Sequence, residues 1–313
     1  MSKGKVFSIV FALILVGIGT AILIFGFMNK PKTETVTKTY EITDNFNNID
    51  FDIQTADVKF EKSDDGKNKA ICVENKYVAN EFKVENDTLK ISSKENRKWY
   101  EFMLFNFTSY KITLYLVDTE FNNLNTESST GNFEVPASFK FNNVKMNMST
   151  GHITFKGQVD DKLKLTASTG KIDVDGVNAS DAEIKTSTGD ITLTNMKLKN
   201  NVTASASTGD IKFVNVTAKN ITISTSTGDI DLVKSIAEEH MELAASTGHI
   251  HFDEADAKTI KAKTTTGRVY GVLNTPKTFY ATSDTGKVSV PRTTGGECEI
   301  STHTGSITIT IKE

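Results

Sequence analysis

Two aspartates and two histidines recur at equivalent positions of neighbouring sequence repeats and could bind a metal ion. Each pair lies one and three residues after a Thr-Gly step, and the set is Asp229, Asp231, His249 and His251. If the two repeats form adjacent β-strands, the four side chains share one face at a spacing of about 5 Å by 7 Å. Imidazole and carboxylate suit zinc or another transition metal. The alternative is that these outward polar side chains are simply solvated.

The residue after each repeat glycine forms an outward column that also contains three consecutive acids. Asp190, Asp210 and Asp229 occupy this position in successive repeats. Like charges at strand spacing repel each other. The sequence therefore predicts a compensating partner, and a hard cation such as Ca²⁺ would serve.

A second candidate binding site is an aromatic cluster that contains the single Trp of the chain. Its members are Trp99, Tyr100, Phe102, Phe105 and Phe107. One interpretation is that they pack over the open front end of the fold, because an uncovered sheet end invites edge-to-edge association. The other is an exposed patch for a partner protein, a glycan or the membrane surface.

These candidates lie on a repeat whose period predicts the fold. Thr-Gly recurs with its glycine at positions 131, 151, 170, 189, 209, 228, 248, 267, 286 and 305, always 19 or 20 residues apart. Positions two and four after each glycine are apolar almost without exception, with polar residues between, as in Ile211 and Phe213. A second alternation precedes each glycine, as in Val202, Ala204 and Ala206. Both have the period of two expected for strands with one buried face.

Two strands and polar turns in 19 or 20 residues leave no room for a helix. The sequence therefore predicts an all-β parallel β-solenoid of about ten coils in which equivalent strands of successive coils pair. The glycine column predicts a tight bend with unusual backbone angles. We interpret the Ser and Thr columns as structural too, the alternative being a hydroxyl ladder that binds ice or sugar.

An uncharged apolar run over residues 6–28 precedes the repeats. As a helix it would span about 34 Å, enough for a bilayer core of about 30 Å. Since no small-residue cleavage site follows, we expect an uncleaved transmembrane anchor rather than a signal peptide. The predicted organisation is a cytoplasmic stub at 1–5, the anchor at 6–28, a tether at 29–40, a strand-rich cap at 41–120 and the repeat solenoid at 121–313, with the repeats extracellular.

Composition excludes some functional classes. The net charge is −3, which argues against nucleic acid as a partner, since that would need a basic stripe. Two cysteines in 313 residues do not make a disulfide framework, and Cys72 and Cys298 are predicted to be buried thiols. No cofactor is expected.

The membrane segment followed by serial Ser-Thr-Gly-Asp-Ile units, such as those at 187–191 and 207–211, resembles the bacterial putative-adhesin family of β-strand repeat proteins. The membrane-anchored LiaG-like proteins of Gram-positive bacteria belong to that family. The resemblance implies a cell-envelope surface protein, in some members connected with envelope stress, and it carries no catalytic residues.

Two functions follow from these observations. The first is a non-enzymatic, membrane-anchored envelope protein whose long regular faces act as an adhesin-like binding or scaffolding module, with the membrane and an envelope glycan or protein as partners. The second is a polysaccharide-active enzyme of the β-helix type. Such enzymes gather acids and bases in a groove, usually on loops that break the repeat. The nearly constant repeat length favours the first.

Overall fold

The computed structural model describes residue 12 and residues 14–20, 34–95 and 110–313. It is an all-β solenoid of about nine turns, with 71% strand and 3% helix. The predicted all-β solenoid is therefore confirmed, with about nine turns where the sequence predicts about ten coils. Of the ten repeat glycines, nine have a positive φ, and Gly286 is the exception.

The front of the solenoid contains seven strands: β1 (Val36–Ile42), β2 (Asn48–Thr55), β3 (Asp57–Lys62), β4 (Asn68–Glu74), β5 (Val78–Glu85), β6 (Thr88–Glu95) and β7 (Lys111–Leu116). The first half of the repeats forms β8 (Glu120–Thr130), β9 (Phe133–Val135), β10 (Lys140–Thr150), β11 (Ile153–Phe155), β12 (Gln158–Thr169), β13 (Ile172–Asp175), β14 (Asn178–Ala179), β15 (Asp181–Thr188), β16 (Ile191–Thr194), β17 (Lys197–Leu198) and β18 (Asn201–Thr208). The second half forms β19 (Ile211–Val214), β20 (Thr217–Thr227), β21 (Ile230–Val233), β22 (Ile236–Thr247), β23 (Ile250–Thr266), β24 (Val269–Leu273), β25 (Lys277–Ser283), β26 (Val288–Ser289), β27 (Gly296–Thr304) and β28 (Ile307–Ile311).

The strands build two parallel sheets that face each other across one core. The strands before each glycine pair coil to coil in what we call the long-strand sheet, as in β18 with β20. The strands after each glycine pair in the short-strand sheet, as in β19 with β21. Apolar residues that alternate in sequence, such as Ile211 and Phe213, are fully buried between the sheets. The core is therefore a stack of layers, one from each coil.

The glycine corner joins the two sheets and admits no side chain. Gly209 has φ +144°, and a Cβ placed on it would lie 2.0 Å from the carbonyl oxygen of Gly189 in the preceding coil. The amide of Gly209 donates to the carbonyl of Thr227 in the next coil at 2.9 Å. Each corner therefore rests directly on the backbone of the one before it, which explains why the column is glycine.

The front end departs from simple stacking in sequence order. The coil of β2 and β3 contacts the coil of β8 and β9 on one side. On its other side it contacts β6 and β7, which come later in the sequence. Antiparallel pairing of β4 with β7, β1 with β4, and β5 with β6 extends both sheets further.

The far end contains an inserted coil that the sequence period does not predict. The last coil in sequence, β27 and β28, lies between the coil that ends with β24 and the coil of β25 and β26. Lys277 reaches from β25 past Gly296, its partner in β27, and its Nζ donates to the carbonyl of Ala257 at 2.6 Å. Its Nζ also lies 2.5 Å from Oδ1 of Asp256. We call residues 277–290 the end coil.

The predicted anchor falls mostly outside the described residues. Residue 12 and residues 14–20 are helical with exposed side chains. No helix in the part of the chain that the structure describes is long and apolar enough to cross a membrane.

Candidate functional site

The four residues predicted to bind metal lie on adjacent coils of the short-strand sheet. Asp231 pairs in register with His251, and Oδ1 of the aspartate lies 3.2 Å from Nδ1 of the histidine. The ring of His251 also stacks on Tyr270 in the next coil, with centroids 4.7 Å apart. Of the four residues, Asp231 and His251 are therefore in direct side-chain contact.

The other two residues are bonded to the backbone instead. Oδ1 of Asp229 accepts from the amide of His249 at 2.7 Å, and Nδ1 of His249 accepts from the amide of Arg268 at 2.9 Å. A neutral imidazole has one acceptor nitrogen, so this bond places the proton of His249 on Nε2 and leaves no free lone pair for a metal. No group of three or more His, Cys, Asp or Glu able to hold an ion occurs among the described residues. The predicted four-ligand centre does not form in this arrangement.

The same backbone contact repeats in two runs along the column after the glycines, and we call it the corner ladder. In each step the side chain of one coil accepts from the main-chain amide of the equivalent residue in the next. One run passes through Asp57, Asn132, His152 and Lys171, with distances of 2.8, 2.9 and 3.0 Å. The second passes through Asp190, Asp210, Asp229, His249 and Arg268, with distances of 2.9, 2.8, 2.7 and 2.9 Å.

The corner ladder gives the three stacked acids a compensating partner other than a cation. The carboxylates of Asp190, Asp210 and Asp229 each accept from a backbone N–H, which carries the positive end of its dipole. Each run ends at a cationic residue, Lys171 or Arg268, because neither side chain can accept a hydrogen bond. Asn, Asp and His are thus selected by one shared property, a short side chain with an acceptor atom.

A second set of corner contacts lies three residues before the glycines, inside the core. The hydroxyls of Thr186, Thr225, Thr264 and Thr302 donate to the glycine carbonyls of the neighbouring coil at 3.3, 3.1, 2.8 and 2.9 Å. Buried alanines, Ala167, Ala206 and Ala245, occupy the same column in the coils between. The signal that could have revealed this set is a two-coil period, because three of these threonines are 39 residues apart (225 − 186 and 264 − 225).

The centre of the long-strand sheet presents an outward face of uncharged hydroxyl groups, which we call the hydroxyl face. It consists of Thr203, Ser205, Ser207, Thr222, Ser224 and Ser226, on the paired strands β18 and β20. Charged coils flank it, and on one side Glu183 pairs with Lys164 at 3.1 Å and Lys185 at 2.6 Å. The hydroxyl face is thus the flat, neutral part of an otherwise charged sheet.

A further acid–histidine contact lies at the far end of the solenoid, between the inserted coil and the end coil. His303 of the inserted coil lies between the coils that carry Thr265 and Asp284, and Nδ1 of His303 is 2.5 Å from Oδ2 of Asp284. Both side chains are about two-thirds exposed. The sequence signals this pair, because the two positions are 19 residues apart and the period places them in neighbouring coils. It does not signal that the coil of His303 lies inside the coil of Asp284.

The two cysteines and the aromatic cluster are the remaining residues that the sequence singles out. Cys72 and Cys298 are free and buried, as predicted. Burial raises the pKa of each thiol to about 12, so neither is a nucleophile at neutral pH. The aromatic cluster of Trp99, Tyr100, Phe102, Phe105 and Phe107 lies outside the described residues.

Comparison with known proteins identifies the family. The structure is similar to putative adhesins from Bacteroides fragilis (16% identity, 90% of this chain and 99% of that chain, TM-score 0.44) and Parabacteroides distasonis (15%, 89% and 98%, TM-score 0.49). It is also similar to a putative lipid binding protein from Parabacteroides distasonis (20%, 89% and 98%, TM-score 0.45). No curated protein matches the chain. The model of the family described as Toastrack DUF4097 matches residues 46–205 and again 197–313, so the chain belongs to that family.

Proposed function

We propose that this chain is a non-enzymatic, membrane-anchored protein of the bacterial cell envelope whose solenoid acts outside the cell as an adhesin-like binding or scaffolding module. The observation that carries the proposal is the corner ladder. The aspartates and histidines that could do acid–base or metal chemistry at the corner accept hydrogen bonds from backbone amides. Their role is to hold coils together, which leaves the broad faces of the sheets as the surface for contact with a partner.

The hydroxyl face is the part of that surface best suited to a glycan of the envelope. Its hydroxyl groups can both donate and accept, and rigid strands present them with little ordering on binding. On one flank of the hydroxyl face the charged side chains are paired with each other, as in Lys164 with Glu183. A neutral, hydroxyl-rich strip matches the chemistry of a polysaccharide chain.

Co-sedimentation of the full chain with isolated cell-wall fragments tests this binding function. We expect saturable binding that falls at least tenfold in a Ser205→Glu, Ser224→Glu variant. The matched control is Thr192→Glu, an outward residue of the short-strand sheet, which should bind like wild type. If the double variant binds cell-wall fragments as tightly as wild type, the hydroxyl face is not the binding surface. Release of soluble sugar from the fragments would favour the polysaccharide-active enzyme instead.

The envelope location belongs to the same proposal and rests on the apolar run at 6–28. Protease added to intact protoplasts should degrade the solenoid and leave a short membrane-bound stub. A solenoid that is cleaved only after lysis would contradict the topology. Induction of the transcript by cell-wall antibiotics would support the connection with envelope stress that the sequence resemblance implies.

A further inference from the structure

The end coil leaves the core of the solenoid half open. Phe279, Ala281 and Val290 pack against the core but are only partly buried, and Val288 is 37% exposed. The equivalent of Val288 in a central coil, Ile230, is fully buried. The end coil is thus built like the others but lacks a neighbour on its outer side.

The pairing of the described strands also shows that the end coil has a neighbour on one side only. β25 pairs with β27 and β26 pairs with β28, and within the described residues neither has a partner on the other side. At the front, by contrast, antiparallel β1, β4 and β5 extend the sheets beyond the last coil. The far end therefore presents two sheet edges above an apolar layer.

Natural sheets usually protect such an edge with an outward lysine, a proline or a bulge. The charged residue of β25 is Lys277, and it is buried, with its Nζ bonded to Asp256 and Ala257. The outward residues that follow, Thr278, Tyr280 and Thr282, are uncharged, and Tyr280 is 58% exposed. The only charged side chain of β25 therefore points into the molecule and cannot repel a second strand.

The sequence of β25 is complementary to itself about Tyr280. If a second copy pairs antiparallel with a two-fold axis through this residue, Phe279 of one copy lies opposite Ala281 of the other. A large and a small inward side chain then meet twice, and Thr278 faces Thr282 on the outer side. An axis normal to the sheet keeps inward residues inward, so the apolar layers of both copies close over each other.

We propose that two copies of this chain associate end to end through antiparallel pairing of β25, with Tyr280 at the two-fold axis. Each copy covers the open apolar layer of the other and the long-strand sheet becomes continuous through the dimer. The contact is isologous, so it closes at two copies rather than growing into a filament. This inference does not rest on the proposed envelope function.

Cysteine cross-linking of the full chain, purified in a mild detergent, tests both the partner and the register. Under a mild oxidant, we expect Tyr280→Cys to form a disulfide-linked dimer on a non-reducing gel, because residue 280 meets its own copy. Thr278→Cys and Thr282→Cys should each cross-link at least tenfold less alone, yet cross-link to each other when mixed. The native thiols Cys72 and Cys298 are buried and serve as an internal background.

Adding a charge to the edge gives an independent check. Thr282→Lys in the Tyr280→Cys background should reduce the dimer at least tenfold, whereas Ser224→Lys on a central coil should not. Equal cross-linking of all three single cysteine variants, or none in any, would overturn the proposal. Cross-linking in cells to a protein of another size in place of the dimer would show that a different strand occupies the edge.

Discussion

At the residue scale, the central feature is that polar side chains of types that could bind metal or transfer protons form hydrogen bonds to the backbone instead. Asp, Asn and His alternate along the corner ladder because each offers an acceptor at the same reach, as in Asp57, Asn132 and His152. Sequence patterns find the column but cannot tell a ligand from a backbone acceptor. Both require the same residue types, and only the position of the neighbouring amide distinguishes them.

The first residue-scale prediction concerns metal binding. Titration of the full chain with Zn²⁺ should give no saturable binding that depends on His249 and His251, because Nδ1 of His249 already accepts from Arg268. Calorimetry of wild type against a His249→Ala, His251→Ala variant measures this. A zinc-dependent rise in melting temperature that the double variant loses would contradict the assignment.

A second residue-scale prediction concerns Glu74, which is 1% exposed in the front cap. Burial alone would raise the pKa of its carboxyl, but donors from Asn80, Lys38 and Tyr40 outweigh burial and hold the pKa below its ordinary value of 4.5. A folded-state pKa below the unfolded one means that the carboxylate stabilises the fold above the unfolded pKa. This stabilisation is lost as pH falls through the folded pKa.

We therefore expect the free energy of unfolding to fall as the pH drops below 4.5, the ordinary pKa of the glutamate carboxyl. Glu74→Gln should be less stable at pH 7 by about 1–3 kcal/mol, since it leaves donors poorly paired, and should lose part of this acid dependence. Denaturant unfolding at several pH values, followed by circular dichroism, measures both. An unchanged acid slope in the variant would show that other carboxylates dominate.

At the element scale, the glycine corner and the end coil determine how coils stack. The period and the alternation of apolar residues predict the two strands of each coil, because burial imposes both patterns locally. They do not predict the inserted coil, since β25 and β27 carry similar patterns and either could follow β24. The choice is made by contacts distant in sequence, such as Lys277 with Asp256 and the space left by Gly296.

A matched pair of glycines tests the corner. Gly209 and Gly176 both have positive φ, +144° and +73°, but a Cβ on Gly176 meets nothing within 4 Å, whereas on Gly209 it meets backbone at 2.0 Å. Gly176→Ala should cost about 1–2 kcal/mol from backbone strain alone. Gly209→Ala should cost more than about 4 kcal/mol, because the backbone of the preceding corner, at Gly189, must move. Equal losses in denaturant unfolding would contradict the tight stacking of the corners.

A matched pair of lysines tests the end coil. Lys277→Met removes the buried partner of Asp256 and should destabilise the protein by about 3–5 kcal/mol. Lys287→Met, on the exposed corner of the same coil, should change stability by less than about 0.5 kcal/mol. In the Lys277→Met variant, amide hydrogen exchange should show that residues 277–304 lose protection before the rest of the solenoid. Similar stability of both variants would contradict the role of Lys277 as the contact that holds the end coil in place.

At the scale of the whole molecule, the solenoid is a rod with two unlike ends and two broad faces. The sequence predicts its all-β class and coil length, because a period of 19 or 20 residues admits few alternatives. It does not predict which end is open, since that depends on where β6, β7, β27 and β28 insert. The sequence therefore points to the corner acids as the candidate site, whereas the structure points to the outward sheet faces and the open end.

The claim that corner acids hold coils together is tested most directly by two changes at Asp210. Asp210→Asn keeps an acceptor for the amide of Asp229 and removes repulsion from Asp190 and Asp229, so its free energy of unfolding should equal or exceed that of wild type. Asp210→Ala leaves that amide without its partner and should lose about 1–3 kcal/mol. Denaturant unfolding of the full chain measures both. Equal stability of the Ala and Asn variants would contradict the corner ladder as the reason for these residues.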